Sequence, residues 1–192
     1  METIWSSFFL VAISEMGDKT HLLAFSLAAR FKSPWTIMAG ILTATVFNHA
    51  LASSLGSWVS AHVPARVMAG LLAAAFIGFG LWTLKPDSFE GKESKSGRGA
   101  YLTTVVLFFL AEMGDKTQLA TMALAAKFGS VLWVTTGTTL GMLASDGLAV
   151  FVGEKLAERV SMTWLRRAAA GLFFVFGVWS AVQAFQAGNP AS

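Results

Sequence analysis

The stretch Glu15-Met16-Gly17-Asp18-Lys19-Thr20 recurs without a difference as Glu112-Met113-Gly114-Asp115-Lys116-Thr117, 97 residues further along the chain. Both copies place charge inside apolar sequence: the first interrupts Ile4 to Arg30, the second Tyr101 to Lys127. At the same offset Leu27-Ala28-Ala29 matches Leu124-Ala125-Ala126, Gly40 matches Gly137, and Phe79-Gly80 with Trp82 matches Phe176-Gly177 with Trp179. No gap is needed anywhere, so the chain is a duplication of one unit.

Around these two stretches lie four uninterrupted apolar runs, Trp35 to Val59, Val67 to Leu84, Val131 to Gly153 and Ala168 to Ala187. Each is near the roughly 20 residues that cross a hydrocarbon core of about 30 Å. Hydrocarbon leaves no partner for a backbone polar group, so such runs become helices. With the two interrupted stretches the pattern predicts an all-α membrane protein of six transmembrane helices. Residues 1–84 form one three-span repeat, 101–192 the second, and the polar stretch KPDSFEGKESKSGRGA at 85–100 is an aqueous linker. An odd number of spans makes the second copy enter from the opposite side. The expected architecture is therefore two inverted three-helix repeats, a design recurrent in secondary transporters, with the substrate site near the midplane.

Composition agrees: of 192 residues 55% are hydrophobic and 13% charged, and the mean hydropathy is +0.61. This excludes a soluble enzyme or a nucleic-acid-binding module. A pI near 9.5 rests on only 14 Lys and Arg against 11 Asp and Glu, and the surplus sits in short loops. Arg30, Lys32, Lys85, Lys92, Lys95, Arg98, Lys155, Arg159, Arg166 and Arg167 fall on one side, Arg66 and Lys127 on the other. The positive-inside rule makes the linker cytoplasmic and puts both termini outside, in a multi-pass protein of the cell (cytoplasmic) membrane. The first span is no signal peptide, since it lacks a basic start and charge cuts its middle. Trp5, Trp35, Trp58, Trp82 and Trp164 fall near span ends, as interfacial anchors do. The absence of cysteine removes thiolate metal sites and disulfides together.

On a continuous helix Glu15 and Asp18 share a face, as do Glu112 and Asp115. Two such faces meeting across the repeat axis make a four-carboxylate oxygen cage. This suits Mn²⁺ or Ca²⁺ better than the thiophilic Zn²⁺ or Cu⁺. Thr20, Thr117 and Gln118 add neutral oxygens within a turn, and Gly17 and Gly114 let the backbone open. With Lys19 and Lys116 the four acids leave a net charge of minus two in the membrane, which one divalent cation or two protons would neutralise. Clustered carboxylates cannot all stay ionised without a cation, so the pattern suits a cation/proton exchanger. The plainer reading is helix pinning, with Glu15 paired to Lys19 and Glu112 to Lys116 at i and i+4.

Asp146 is a further acid at membrane depth, and its 97-residue counterpart is His49, beside Asn48. These three are candidates for a proton relay or supporting ligands. His21 abuts the first motif but is matched by Gln118, which argues against a required imidazole ligand. Gly137 and Gly141, matched by Gly40 and Ala44, read as a close helix contact and not as a phosphate loop.

Two copies of E-x-G-D-[KR]-[ST] in two three-span halves resemble the membrane family long catalogued as uncharacterised protein family sixteen. Glu15, Gly17, Asp18, Lys19, Thr20, Glu112, Gly114, Asp115, Lys116 and Thr117 all match its pattern. The resemblance covers essentially the whole chain. It implies a divalent cation/proton exchanger handling Mn²⁺ and Ca²⁺, with the motif acids forming the ion path. Asp146, His49 and Asn48 lie outside the motif and inherit nothing from it. The short linker and the lack of an N-terminal targeting extension look like a bacterial member. The expected partners are a divalent cation, protons and the bilayer, with no resident cofactor. Two rivals are an exporter of amino acids or other small solutes and an intramembrane metal-dependent lipid-phosphate hydrolase. The latter has little use for a symmetric copy of its site and lacks an Arg cluster for phosphate.

Overall fold

Every apolar run described by the computed structural model is helical, and the model describes residues 1–85, 99–157 and 162–186. Most of the 85–100 linker, with Lys92, Lys95 and Arg98, lies outside the described residues, as do Arg159 and Ser192. The helices are α1 (Glu2–Glu15), α2 (Lys19–Phe31), α3 (Pro34–His62), α4 (Ala65–Thr83), α5 (Ala100–Glu112), α6 (Lys116–Phe128), α7 (Val131–Ala157) and α8 (Met162–Gln186). Among the described residues there is no strand. Three helical segments, Pro34–His62, Ala65–Thr83 and Arg167–Gln186, are long and apolar enough to cross a membrane. The fourth apolar run lies within α7, which has 27 residues.

The two motif-bearing stretches differ from the expectation of one helix each. Both break at the motif: α1 with 14 residues and α2 with 13 replace one span, and α5 and α6, each with 13, replace the other. At 1.5 Å per residue each piece is about 20 Å long, shorter than a hydrocarbon core of about 30 Å. The cause is local. Gly17 and Gly114 have φ of +79° and +74°, a left-handed conformation natural to glycine and costly for other residues. Met16 and Asp18 on either side of Gly17 are extended. Glu15 therefore ends α1 while Asp18 caps α2, and Glu112 ends α5 while Asp115 caps α6. The shared helical face expected for each Glu and Asp does not exist, because no helix runs through both.

Packing pairs elements of one half with those of the other: α1 lies on α7, α5 on α3, and α4 on α8. The close approaches come in counterparts offset by 97 residues. A Cβ on Gly40 would stand 2.7 Å from Thr104 Cβ and 3.1 Å from Tyr101 O, and one on Gly137 would stand 2.9 Å from Ser7 Cβ and 2.6 Å from Ile4 O. Likewise Gly80 packs on Phe174 and Gly177 on Ile77. The small residues singled out in the sequence thus mark backbone contacts, Gly141 included, where a Cβ would lie 2.6 Å from Phe8 O.

The distribution of polarity is inverted relative to a soluble protein. Phe47, Leu51, Leu132, Val175 and Phe185 are exposed, whereas Glu15, Asn48, His49, Glu112 and Asp146 are fully buried. Trp5, Trp35, Trp58, Trp82 and Trp164 all lie on the surface. An apolar exterior around a polar centre is the arrangement that lipid selects.

Candidate functional site

Breaking each span at glycine delivers a carboxylate from a helix end and another from a helix start. In each half the aspartate is anchored by its own backbone: Asp18 Oδ1 accepts Lys19 N–H and Asp115 Oδ1 accepts Lys116 N–H, both at 2.7 Å. This N-cap satisfies one of the donors left unpaired at a helix start.

The lysines form ion pairs across the two motifs. Lys116 Nζ lies 2.7 Å from Asp18 Oδ2, and Lys19 Nζ lies 3.0 Å from Asp115 Oδ2. The pinning expected between Glu15 and Lys19, and between Glu112 and Lys116, is replaced by an exchanged pairing between the halves, since the helical i, i+4 geometry is interrupted at Gly17 and Gly114. The two pairs differ in setting: Lys116 is 3% exposed, Lys19 27%.

With both aspartates so engaged, the glutamates occupy the interior. Glu15 Oε2 accepts the hydroxyl of Thr20 at 2.5 Å, and Glu15 Oε1 accepts that of Thr117 from the other half. Both threonines are completely buried. Glu112 is also completely buried, yet neither of its oxygens has a hydrogen-bond partner among the described residues. It lies within electrostatic reach of Glu15, Asp115, Asp146 and Asp18. A dry acid with no donor is costly unless a proton or a cation satisfies it, so Glu112 fits a cation ligand. No group of three or more His, Asp or Glu side chains among the described residues stands close enough to hold a metal ion in this arrangement. The motif acids are gathered around one centre without closing into one coordination shell.

Polar pairs flank this centre, again as counterparts. Gln118 Nε2 donates to Asn48 Oδ1 at 3.5 Å, and His21 Nδ1 stands 3.4 Å from Ser145 Oγ. Asn48 Nδ2 donates to Phe109 O at 3.2 Å, and the Gln118 oxygen accepts Gly114 N–H at 2.8 Å. His49 and Asp146 are fully buried, and neither side chain has a hydrogen-bond partner among the described residues. Asp146 lies within electrostatic reach of Glu15 and Asp18.

Sequence reasoning overlooked the hydroxyls of Thr45, Ser53 and Thr121, which are buried without hydrogen-bond partners. The signal was present: Thr45, Asn48, His49 and Ser53 recur at helical spacing along one face of an otherwise apolar span. A cavity of about 350 Å³ beside Glu2, Lys127, Phe176 and Trp179 has no motif residue in its wall.

Residues 3–91 and 100–188 each match the family described as "Divalent cation/proton antiporter GDT1". A Vibrio cholerae protein carrying the provisional name of manganese exporter is 40% identical over 182 residues, covering 94% of this chain and 91% of its own. A GDT1-like protein of Synechocystis is 30% identical over 193 residues, covering 89% and 92%. GDT1-like protein 3 of Arabidopsis thaliana is 28% identical over 207 residues, covering 93% and 70%. No solved structure matches the chain.

Proposed function

Since the chain belongs to the GDT1 family of divalent cation/proton antiporters, we propose that it exports Mn²⁺, with Ca²⁺ as a second cargo, from the cytoplasm in exchange for protons. That family makes it a multi-pass membrane transporter and not an enzyme, which sets aside the lipid-phosphate hydrolase. Glu15, Asp18, Glu112 and Asp115 are the shared ligands for cation and proton, with Thr20 and Thr117 as hydroxyl neighbours. The observation that carries this reading is the convergence of both motif copies on one buried centre, where Glu112 has no donor. Hard oxygen donors without thiolate suit Mn²⁺ and Ca²⁺ alike. The name of the Vibrio relative favours manganese.

Two inverted three-helix repeats, 1–84 and 101–192, frame the site in this account, each crossing three times with its first span broken in two. The exchanged contacts of Gly40 and Gly137, and of Gly80 and Gly177, support that reading. Asp146 and His49, the buried counterparts on α7 and α3, form the proton route. The linker faces the cytoplasm and both termini face outward. Lys95→Cys in this cysteine-free chain should resist an impermeant thiol reagent in intact cells, and labelling there would reverse the orientation.

The site is tested in proteoliposomes by Mn²⁺ transport, with Ca²⁺ as competitor, in Glu15→Gln, Asp18→Asn, Glu112→Gln and Asp115→Asn. Each substitution keeps shape and removes charge, and each should abolish transport in protein that still inserts. Near-normal transport in any two of the four would dismiss the shared site.

A further inference from the structure

We propose that Lys19 and Lys116 are built-in competitors of the transported cation: each holds the aspartate of the opposite half, and the incoming divalent ion must displace it. This rests on the reading of the motif acids as cation ligands and adds what the cation must do to reach them. Both oxygens of each aspartate are in use. Asp18 gives Oδ1 to Lys19 N–H and Oδ2 to Lys116 Nζ, and Asp115 gives Oδ1 to Lys116 N–H and Oδ2 to Lys19 Nζ. A divalent ion binds carboxylate oxygen at about 2.0–2.6 Å, and an ammonium on the same oxygen repels it. One of the two donors has to yield. The backbone N–H is fixed by the helix start, whereas the lysine sits on a flexible four-carbon stem, so the lysine yields.

Displacement has a mechanical consequence because the pairs are exchanged. Asp18 and Lys19 begin α2, while Asp115 and Lys116 begin α6. Each pair therefore ties the start of α2 to the start of α6, and losing one unties the halves at that point. The left-handed turns at Gly17 and Gly114 separate these starts from the glutamate-bearing helices, so α2 or α6 can shift while Glu15 or Glu112 stays in place. Lys19 is 27% exposed and has room to swing away; Lys116 is 3% exposed and has none. In this arrangement the cation reaches the Lys19–Asp115 pair first, and the Lys116–Asp18 pair opens only as the site turns to the other side. Because the two motifs are identical, the mirror arrangement, with Lys116 exposed and Lys19 buried, can be built from the same six residues. Alternation between the two is what alternating access requires.

The test measures Mn²⁺ binding to the purified full chain by calorimetry, alongside proteoliposome transport. Removing a competing charge should tighten binding and slow release. K19M and K116M are therefore expected to lower the Kd for Mn²⁺ by about tenfold or more while transport falls by about as much. K19R, which keeps the charge, restores the weaker affinity. A lysine that merely pins helices would give unchanged or weaker binding in both methionine variants, and that result overturns the proposal. Should K116M fail to fold, K19M carries the same test, since its pair is the more exposed. In the unmutated protein, acylation of Lys19 by a water-soluble amine-reactive ester, read by mass spectrometry, should rise when Mn²⁺ is added. A fall or no change counts against displacement. Wild-type protein that neither binds nor transports Mn²⁺ would sink the exchanger reading itself, whereas wild-type transport with no tightening in the variants would sink only the role of the lysines.

Discussion

The two halves carry the same six-residue motif and put it to unequal use. In the first, Glu15 accepts two threonine hydroxyls, one from each half. In the second, Glu112 is equally buried and accepts none among the described residues. The ion pairs are unequal too, Lys116–Asp18 buried on both sides and Lys19–Asp115 with its lysine 27% exposed. The motifs are identical but their neighbours are not, since Asp146, Ser145 and Gln118 stand where the other half has His49, Asn48 and His21, so both packing and flanking residues set the two copies apart. On the proposed function, a duplicated motif in unequal surroundings is what a protein needs if it is to present one set of ligands to two sides of a membrane in turn.

The inequality can be broken from either end. Glu15→Gln and Glu112→Gln should each reduce Mn²⁺ transport by about a hundredfold or more, at least the loss seen when only an outer partner of a metal ligand is removed. Their thermal stabilities should diverge. Glu112→Gln removes a buried acid that lacks a donor and should leave the melting temperature unchanged or higher, while Glu15→Gln turns one of two accepting oxygens into a donor facing a hydroxyl and should lower it. Matching shifts in a detergent melting assay would show that the two glutamates are equivalent on average.

Next in size is the contrast between the aspartates. Asn caps a helix as well as Asp does, so the substitution isolates the charge. Asp18→Asn takes the ion-pair partner from buried Lys116 and should lower stability more than the matching change in the other half. Asp115→Asn does the same to the half-exposed Lys19 and should cost about 1 kcal/mol or less. Equal losses in denaturant or thermal unfolding would contradict the assignment of one buried and one partly exposed pair.

The smallest expected effect lies at the ends of α2 and α6, which both close on a left-handed residue: Lys32 with φ of +51° in the first half and Gly129 with +63° in the second. Only the first half carries a side chain in that conformation. Lys32→Gly should stabilise by about 1 kcal/mol, the cost of a left-handed non-glycine residue, with transport unaffected. A destabilised variant would mean that the Lys32 side chain makes a contact worth more than the strain it relieves.

Much of this was legible in the sequence because it is written locally or periodically. The apolar runs are α3, α4, α7 and α8, and the ungapped 97-residue offset alone pairs Gly40 with Gly137 and Gly80 with Gly177. The break at the motif was half legible: Gly17 and Gly114 signalled an opening of the backbone, but the acids were still placed on one face, which needs a continuous helix. The exchanged Lys–Asp pairs were not legible, since i, i+4 pairing is the only partner that spacing alone can suggest and the true partners are almost a hundred residues apart. The unequal surroundings of Glu15 and Glu112 could not be read from the motifs, because the two copies are identical there and packing and flanking residues distinguish them.

The central claim, that metal and protons exchange at one set of carboxylates, is tested most directly by loading proteoliposomes with a pH dye and imposing a Mn²⁺ gradient at several values of pH. The account predicts proton movement opposite to Mn²⁺, with apparent Mn²⁺ affinity weakening as pH falls because protons compete for the same oxygens. Mn²⁺ transport with no pH change inside the vesicles, and an affinity independent of pH, would contradict it and leave a uniporter or channel.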